Sequence, residues 1–520
     1  MFSKLINMCK YITLKKVNDK VSNKSNYNYS YETIPESIEE VKKRLIKDFE
    51  NCSDFIYKEV VFGSEKTKGL ICYISLLVDK RIIDNQMINP IMEDEVILPS
   101  KGAIEYIIQS VITECEVEKL LSYKDAIEKI LSGNAILFVE GEKSALNVNG
   151  KYNLGRRVEE PDNETVIRGP KEGFIENIDI NIALLRRKIK DTDLKVEKIK
   201  LGEKSRTDVA ICYLNGIAKQ EIIEEVKRRV NKIKIDAILE SGYIEQFIED
   251  NPYSIFTTVG NTQKPDVVSG KILEGRVAIF CDGTPHVLTV PYLFVENMQT
   301  SEDYYDRTII SSYLRIIRGI SVSISVFLPG IYVALQTFHQ EMIPTILLIS
   351  MTSAREGVPF PSAIEALLMN FFFELLKESG IRLPRAIGPA ISIVGALILG
   401  EAGVNAGLIS APMVMIIALT GLTAFLTPNL SQPITISRII FIILGGSLGI
   451  YGIIVGFYIM LTHMITIKSF GVPYMYTFSP LGNFKDSIVK FPIFKMNKRP
   501  KYLAEDNLTR KNEQEKEKNE

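Results

Sequence analysis

A run of 148 residues, from position 320 to position 467, carries only eleven charged side chains. A hydrocarbon layer about 30 Å thick is crossed by roughly 20 apolar residues in a helix, so this stretch has room for several crossings. The core of a large soluble domain is the alternative interpretation. Such a domain needs a polar outer face, which so long a charge-poor stretch lacks. The sequence therefore predicts an integral membrane protein.

Apolar runs divide this stretch into about five helical spans. Candidate long spans lie at 320–338, 386–400, 408–427 and 436–467, and a shorter run at 342–352 predicts a half-helix or part of a helical hairpin. An all-α, multi-pass membrane domain is therefore expected after the soluble region.

The orientation of the chain follows from its basic residues. No apolar run near the N-terminus is long enough for a signal peptide, and Arg307, Arg315 and Arg318 precede the first span. The positive-inside rule then predicts that the N-terminal soluble region is cytoplasmic, and it predicts the same side for the basic segment 468–501. Five crossings would put that segment outside, so the span count and the charge rule disagree.

The soluble half contains an internal repeat. KILSGNAILFVEG, which starts at Lys129, recurs as KILEGRVAIFCDG from Lys271, and the tripeptide ICY recurs at nearly the same offset of about 140 positions. Each block reads as the end of an amphipathic helix, a glycine suited to a left-handed C-cap, and a buried strand at 135–139 or 277–281. The repeat predicts two similar, duplicated α/β lobes.

These features predict an order of seven segments along the chain. They are an N-terminal tail (1–35), a first α/β lobe (36–150), a linker (151–174), a second α/β lobe (175–295), a juxtamembrane segment (296–319), the membrane domain (320–467) and a basic, then disordered, C-terminal tail (468–520).

Composition and motifs argue against several classes of function. With 62 Lys and Arg against 63 Asp and Glu, the chain lacks the basic excess of a nucleic-acid binder. Its three His and six Cys have no metal-site spacing, and no nucleophile elbow, HExxH or kinase signature occurs. We therefore expect no enzyme activity, no metal and no cofactor.

One segment of the membrane half is amphipathic. Ser362 with Glu365 predicts a capping box that opens a helix, and Asn370, Glu374 and Glu378 then share one face at i, i+4 and i+8. Such a helix either lies in the plane of the membrane interface or lines a water-filled path with its polar stripe.

The last span is rich in glycine. Gly445, Gly449, Gly452 and Gly456 form two GxxxG units. Because small residues let helix backbones approach closely, these glycines predict tight packing within the chain or between subunits.

Three blocks resemble the GerA family. They are RGPKEGFIENIDINIALLRRKI from Arg168, EGRVAIFCDGTPHVLTVPYLFVENMQTSEDYYDR from Glu274, and SAREGVPFPSAIEALLMNFFFELLKESGIRLPRAIGPAISIVGALILGEAGVNAGLISAPMVMIIA from Ser353. The resemblance extends from about residue 40 to about residue 480. In that family, the A subunit of nutrient germinant receptors lies in the inner membrane of bacterial spores.

The resemblance implies a receptor subunit without an enzymatic step. Such A subunits work with a permease-like B subunit and a lipoprotein C subunit, and they form homo-oligomers. The oligomer is thought to be a ligand-gated ion path in the lipid bilayer, whose opening releases cations and starts germination.

The residues that match the family pattern fall in two regions. The interlobe motif comprises Arg168, Gly169, Pro170 and Phe174. The candidates for an ion path or for gating are Arg355, Glu356, Glu365, Glu374, Glu401 and Asn405, together with Asn370. Many family members have an acidic residue where this chain has Asn370, which puts in doubt a required acidic ring at that level. An ion path needs such polar groups because they are costly on the lipid face.

Two other functions remain open. An accessory paralogue would conduct ions during germination without nutrient specificity of its own. A secondary transporter would be expected to carry a repeat in its membrane half, whereas the repeat found here lies in the soluble half.

Overall fold

A computed structural model of the chain describes most of both halves. The described residues are 33–62, 66–75, 77–92, 103–108, 117–152, 164, 166–382, 398–478, 486–504 and 507–510. The predicted span at 386–400 lies almost wholly outside them.

The first lobe is an antiparallel sheet with helices packed on it. Its main elements are α1 (Ile38–Asp48), β1 (Phe55–Phe62), β2 (Thr67–Ile74), β3 (Val117–Leu120), α2 (Tyr123–Leu131), β4 (Ala135–Val139) and β5 (Ala145–Val148). Short helical segments lie at Lys80–Ile83, Asp84–Ile88, Asn89–Met92 and Ala103–Tyr106. The strand order is β1-β2-β4-β5-β3. Every residue of β4 and β5 is buried, as expected for apolar strands inside a covered sheet.

The second lobe repeats this arrangement. Its elements are α3 (Ile178–Lys188), β6 (Leu194–Leu201), β7 (Thr207–Leu214), α4 (Gln220–Asn231), α5 (Ser241–Ile248), β8 (Gly260–Thr262), α6 (Pro265–Leu273), β9 (Val277–Cys281) and β10 (Val287–Val290). The strand order β6-β7-β9-β10-β8 matches that of the first sheet, and all neighbours are antiparallel in both.

Specific contacts recur at equivalent places in the two lobes. The carboxylate of Glu140, after β4, accepts a hydrogen bond from the backbone N–H of Ile38 (3.0 Å) at the start of α1. Asp282, after β9, does the same for Ile178 (3.1 Å) at the start of α3. A carboxylate in this position satisfies a free N–H and complements the positive end of the helix dipole.

The lobes are joined through a buried ion pair. Arg186 of α3 donates two hydrogen bonds to Asp54 of the first lobe (2.7 and 2.9 Å), and both side chains are almost fully buried. Beside this pair, the N–H of Ser53 donates to the carbonyl of Val196 in β6 (2.8 Å). One buried hydrophobic cluster contains side chains of both lobes, so they share a core.

The helical half follows two short helical segments, Phe294–Met298 and Glu302–Tyr305. Its main helices are α7 (Thr308–Phe338), α8 (Thr345–Ser353), α9 (Ser362–Arg382), α10 (Ala411–Ala424) and α11 (Ser431–Thr466). Shorter turns lie at Gln340–Met342, Ile398–Ala402, Gly403–Asn405 and Pro428–Leu430. Among the described residues, Thr308–Phe338 and Pro428–Thr466 are long and apolar enough to cross a membrane, and Ala411–Ala424 is apolar but shorter.

Helix α11 reverses direction at Gly449, which has φ 63° and ψ −146°. A Cβ on Gly456 would lie 3.0 Å from Cε1 of Phe441. Fifteen positions of continuous helix would separate these residues by about 22 Å, so the arms 431–448 and 450–466 fold back on each other. A single span at 436–467 is therefore wrong, and the four glycines do not form one continuous packing face.

The chain after α11 returns to the second lobe. It contains β11 (Lys468–Ser469), β12 (Val472–Pro473) and short turns at Tyr476–Phe478 and Ile493–Lys495. Ser469 Oγ accepts from the N–H of Tyr292 (3.0 Å), and Leu503 is buried in the core of the second lobe. Although the sequence suggests a separate tail from residue 468, the segments 468–478 and 486–504 pack on the soluble half.

Candidate functional site

The most unusual group in the helical half is the buried carboxylate of Glu365 in α9. One of its oxygens accepts from the backbone N–H (2.7 Å) and the hydroxyl (2.6 Å) of Ser410, which directly precedes α10. The predicted capping box with Ser362 is therefore wrong. Glu365 instead caps the following helix, while the hydroxyl of Ser362 hydrogen-bonds that of Thr337 in α7 (2.9 Å).

Arg355 lies on the other side of this carboxylate. Its Nε is 3.5 Å from Oε2 of Glu365, and its Nη2 donates to the carbonyl of Phe360 (3.1 Å). Within the described part of the chain, neither Glu365 Oε2 nor Arg355 Nε has a hydrogen-bond partner. Tyr332 of α7 borders the same cluster. Because buried polar atoms are nearly always hydrogen-bonded, this incompletely satisfied cluster is a candidate functional site.

Asn370 and Glu374 face α11. The side-chain oxygen of Asn370 accepts from Nη1 of the buried Arg438 (2.9 Å), and Glu374 accepts from the hydroxyl of Thr435 (2.8 Å). Glu374 is also paired with Lys377 at 3.2 Å. Asn370 and Glu374 therefore join α9 to α11, whereas Glu378 is exposed and pairs with Arg382 of the same helix (2.6 Å).

Arg438 is a residue that the sequence analysis did not single out. It is 1 % exposed, and no hydrogen-bond partner of its Nε lies among the described residues. The signal was present in the sequence, because Arg438 is the only Asp, Glu, Lys or Arg between positions 402 and 467. An ionisable residue within an apolar span is by default a functional candidate.

Three other candidates lie on the surface, at the end of the helices where Ser410 is found. Glu356, Glu401 and Asn405 are exposed. The loops that carry them adjoin, since a Cβ on Gly407 would lie 3.6 Å from the carbonyl oxygen of Gly357. These three side chains therefore differ from Glu365 in being exposed, although Glu356 directly follows Arg355 in the chain.

The glycine at 445 permits a close helix crossing. A Cβ on Gly445 would lie 2.4 Å from the carbonyl oxygen of Gly330 in α7, and a Cβ on Gly330 would lie 2.5 Å from that of Phe441. Gly452 and Gly456 pack against the first arm of α11, near Leu444. These glycines therefore serve packing within the chain.

The interlobe motif contacts the residues that precede α7. A Cβ on Gly169, which has φ 137°, would lie 2.7 Å from the ring of Tyr305, and Arg168 is 3.8 Å from Asp306. Phe174 is buried, and its ring meets that of Phe280 edge-on at 5.4 Å. Pro170 lies between these contacts and is partly exposed. The linker is thus attached to the base of the first long helix.

An ionic network fixes that base. Asp303 accepts from Arg315 (2.8 Å) and from Arg318 (2.9 Å), and Arg315 also donates to Asp486 of the C-terminal segment (2.8 Å). Both arginines also belong to the basic segment before the first span, on which the positive-inside rule depends. The structure shows in addition that they tie α7 to the soluble half.

Four of the six cysteines lie in the described part of the chain. Cys52, Cys72, Cys212 and Cys281 are buried free thiols, and burial raises the pKa of the Cys281 thiol to about 12, which keeps it protonated. The described residues contain no group of three or more His, Cys, Asp or Glu side chains placed to hold a metal ion.

The described chain thus combines two α/β lobes with a bundle of apolar helices that holds buried charges, and two helices are long and apolar enough to cross a membrane. The chain belongs to the GerA family, since the model for the Bacillus/Clostridium GerA spore germination protein matches residues 43–502.

Two relatives from Bacillus subtilis (strain 168) match most of the chain. Spore germination protein KA is 42% identical over 483 residues, which are 92% of this chain and 88% of that protein. The uncharacterized membrane protein YfkQ is 42% identical over 455 residues, 87% of this chain and 88% of that protein. The crystal structure of the N-terminal domain of the A subunit of the Bacillus megaterium spore germinant receptor GerK3 is 33% identical. That match covers 51% of this chain and 98% of that one, with a TM-score of 0.40.

Proposed function

We propose that this protein is the A subunit of a nutrient germinant receptor in the spore inner membrane, and that it forms an oligomeric, ligand-gated ion path. Membership of the GerA family and similarity to Spore germination protein KA support a role in germination. The protein acts in this proposal as a receptor and not as an enzyme. It works with a permease-like B subunit and a lipoprotein C subunit.

One observation carries the ion-path proposal, namely the buried cluster of Glu365, Ser410 and Arg355. A carboxylate and a guanidinium in an apolar region are costly, so they are retained where they serve packing specificity or a path for ions. The two oxygens of this one carboxylate link α9 to α10, through Ser410, and to the loop before α9, through Arg355. A small movement of α10 would break the two hydrogen bonds from Ser410 and free the carboxylate of Glu365. The cluster would then have a bonded and a free state, and gating requires two such states.

The proposed topology is a multi-pass membrane domain with six crossings. The reversal at Gly449 adds one crossing to the five expected from the sequence, and the span at 386–400 is retained. An even number returns the C-terminal segment to the cytoplasmic side, in agreement with its packing on the second lobe and with the positive-inside rule. The equal strand orders also support an origin of the two lobes by duplication.

The test of the ion-path proposal is the replacement of Glu365 by glutamine and by alanine. Both variants are expected to slow the release of monovalent cations from spores after nutrient addition, at unchanged abundance of the chain in the spore membrane. Glu341→Gln is the control, because that carboxylate also lies in the helical half but is exposed and is not one of the ion-path candidates. If the abundance of the chain and the release of cations fell together, Glu365 would be needed for folding. That result would contradict the proposal.

A second candidate function is retained, because this chain is as identical to the uncharacterized membrane protein YfkQ as it is to protein KA. In this alternative the chain is an accessory paralogue without nutrient specificity. Spores that lack the chain separate the two functions when cation release is measured nutrient by nutrient. Loss for one nutrient class supports a receptor subunit, whereas uniform slowing for all nutrients supports the accessory function.

A further inference from the structure

The second lobe exposes an aromatic surface made by Tyr243, Phe247 and Tyr253. Their exposed fractions are 41, 51 and 101 %. Tyr243 and Phe247 are one turn apart on the outer face of α5, while Ile244 and Ile248 of the same helix are buried in the lobe. Three exposed aromatic side chains so close in sequence are an unusual feature for a surface in contact with water.

Two contacts locate this surface at the end of α11. The hydroxyl of Ser254, next to Tyr253, hydrogen-bonds Nε2 of His463 (3.0 Å), three residues before the helix ends at Thr466. Asp250, which follows α5, accepts from the backbone N–H of Phe470 (2.7 Å), just after the helix. The aromatic surface is therefore level with the soluble-side end of this apolar helix.

The outer face of α11 continues into this surface. Tyr451, Val455, Ile459 and Ile465 on the second arm are all more than half exposed. This row of apolar side chains ends beside the loop that carries Tyr253. Continuity with a lipid-facing helix indicates that the occupant of the surface is the bilayer itself.

The charges beside the surface fit this occupant. Glu249 accepts from the N–H of Thr258 (3.3 Å), and Asp250 is paired with Arg229 (2.6 Å), so both carboxylates are engaged within the protein. Burial, with smaller contributions from the charges of Glu249 and Glu240, raises the pKa of Glu245 to about 7 and so reduces its negative charge at neutral pH.

A basic residue completes the surface. Lys468 is exposed two residues after the end of α11, where it can meet anionic headgroups. Aromatic side chains with a basic neighbour are typical of the headgroup layer.

We infer that Tyr243, Phe247 and Tyr253 insert into the headgroup layer of the membrane and, with Lys468, hold the second lobe against the bilayer. The inference rests on the membrane placement in the proposed function. It does not depend on ion conduction or on the nutrient.

The chain contains no tryptophan, so a single introduced tryptophan reports on one position. The full chain carrying Tyr253→Trp is placed in nanodiscs of phosphatidylethanolamine and phosphatidylglycerol, with or without bromine on the acyl carbons nearest the headgroup. Tyr451→Trp, on the outer face of α11, is the control for membrane insertion. Tyr57→Trp, on the edge strand β1 of the first lobe, is the control for exposure to water.

The ratio of emission in brominated to unbrominated discs is expected to fall below one for Tyr253→Trp and Tyr451→Trp, and to stay at one for Tyr57→Trp. A ratio of one for Tyr253→Trp with quenching at Tyr451→Trp would overturn the inference and leave the proposed function standing. A ratio of one with blue-shifted emission would also overturn it, in favour of contact with a second copy of the chain. Failure of Tyr451→Trp to be quenched would overturn the membrane placement as well. Phe247→Trp repeats the test if Tyr253→Trp does not fold.

Discussion

The crossing of α7 and α11 at Gly445 is close enough for one methyl group to disturb it. The ideal Cβ of an alanine at this position lies 2.4 Å from the carbonyl oxygen and 3.1 Å from the carbonyl carbon of Gly330. A normal carbon–oxygen contact is about 3.3 Å or longer, so the two backbones must separate by about 1 Å. A gap of that size forfeits about a quarter to a half of the dispersion energy at the crossing.

The expected net cost of Gly445→Ala is about 1–2 kcal/mol. Overpacking costs about 1–3 kcal/mol, and the better helix propensity of alanine offsets up to about 1 kcal/mol of it. Thermal unfolding of the purified full chain in detergent should therefore show a lower midpoint, by about 1 °C per kcal/mol for a chain of 520 residues.

A matched glycine provides the control for this prediction. Among the residues that the structure describes, and leaving out chain neighbours and the helix backbone, no atom lies within 4 Å of a Cβ added to Gly380 in α9. Gly380→Ala should therefore leave the midpoint unchanged or raise it slightly. If Gly445→Ala melts at the temperature of Gly380→Ala, the close crossing does not exist in the protein and the packing argument is refuted.

Three further predictions concern charged groups. Arg186→Met leaves the buried carboxylate of Asp54 unpaired, so it should lower the free energy of unfolding by about 3–5 kcal/mol. The double variant with Asp54→Leu should recover most of that loss in the same thermal assay, and equal loss in both variants would contradict the pairing. Because Glu245 has a folded-state pKa of about 7, above its ordinary value of 4.5, the folded state binds this proton more tightly. Its contribution is fully present below about pH 4.5 and is lost as the pH rises to about 7, so stability should fall by about 1–3 kcal/mol across that window. Glu245→Gln should flatten this part of the stability profile, and an unchanged slope would exclude Glu245 as its source. Asn370→Asp places a carboxylate against the guanidinium of Arg438 and should raise the melting midpoint, because the buried positive charge then meets an opposite charge in place of a neutral amide oxygen. A lower melting midpoint would show that Arg438 does not stabilise a carboxylate at position 370.

The sequence by itself determined the features that depend on local pattern. The charge-poor stretch identified the helical half, and the repeated KIL blocks correctly predicted the buried strands at 135–139 and 277–281. Gly133 and Gly275 have φ of 89° and 101°, as a left-handed C-cap requires. Each of these follows from side chains a few positions apart, whose spacing is visible in the sequence. The family resemblance was likewise readable, because long blocks of matching residues carry it.

Only the tertiary structure decided which distant groups meet. The reversal at Gly449 could not be read from a run of apolar residues, because glycine is common in straight membrane helices as well. The carboxylate of Glu365 bonds Ser410 instead of Ser362, since the packing of α9 against α10 brings in a donor forty-five positions away. Arg438 was visible as a lone charge, but its contact with Asn370 depends on how two helices are brought together. The local spacing of residues limits which contacts a side chain can make. The long-range packing of helices determines which distant partner it contacts.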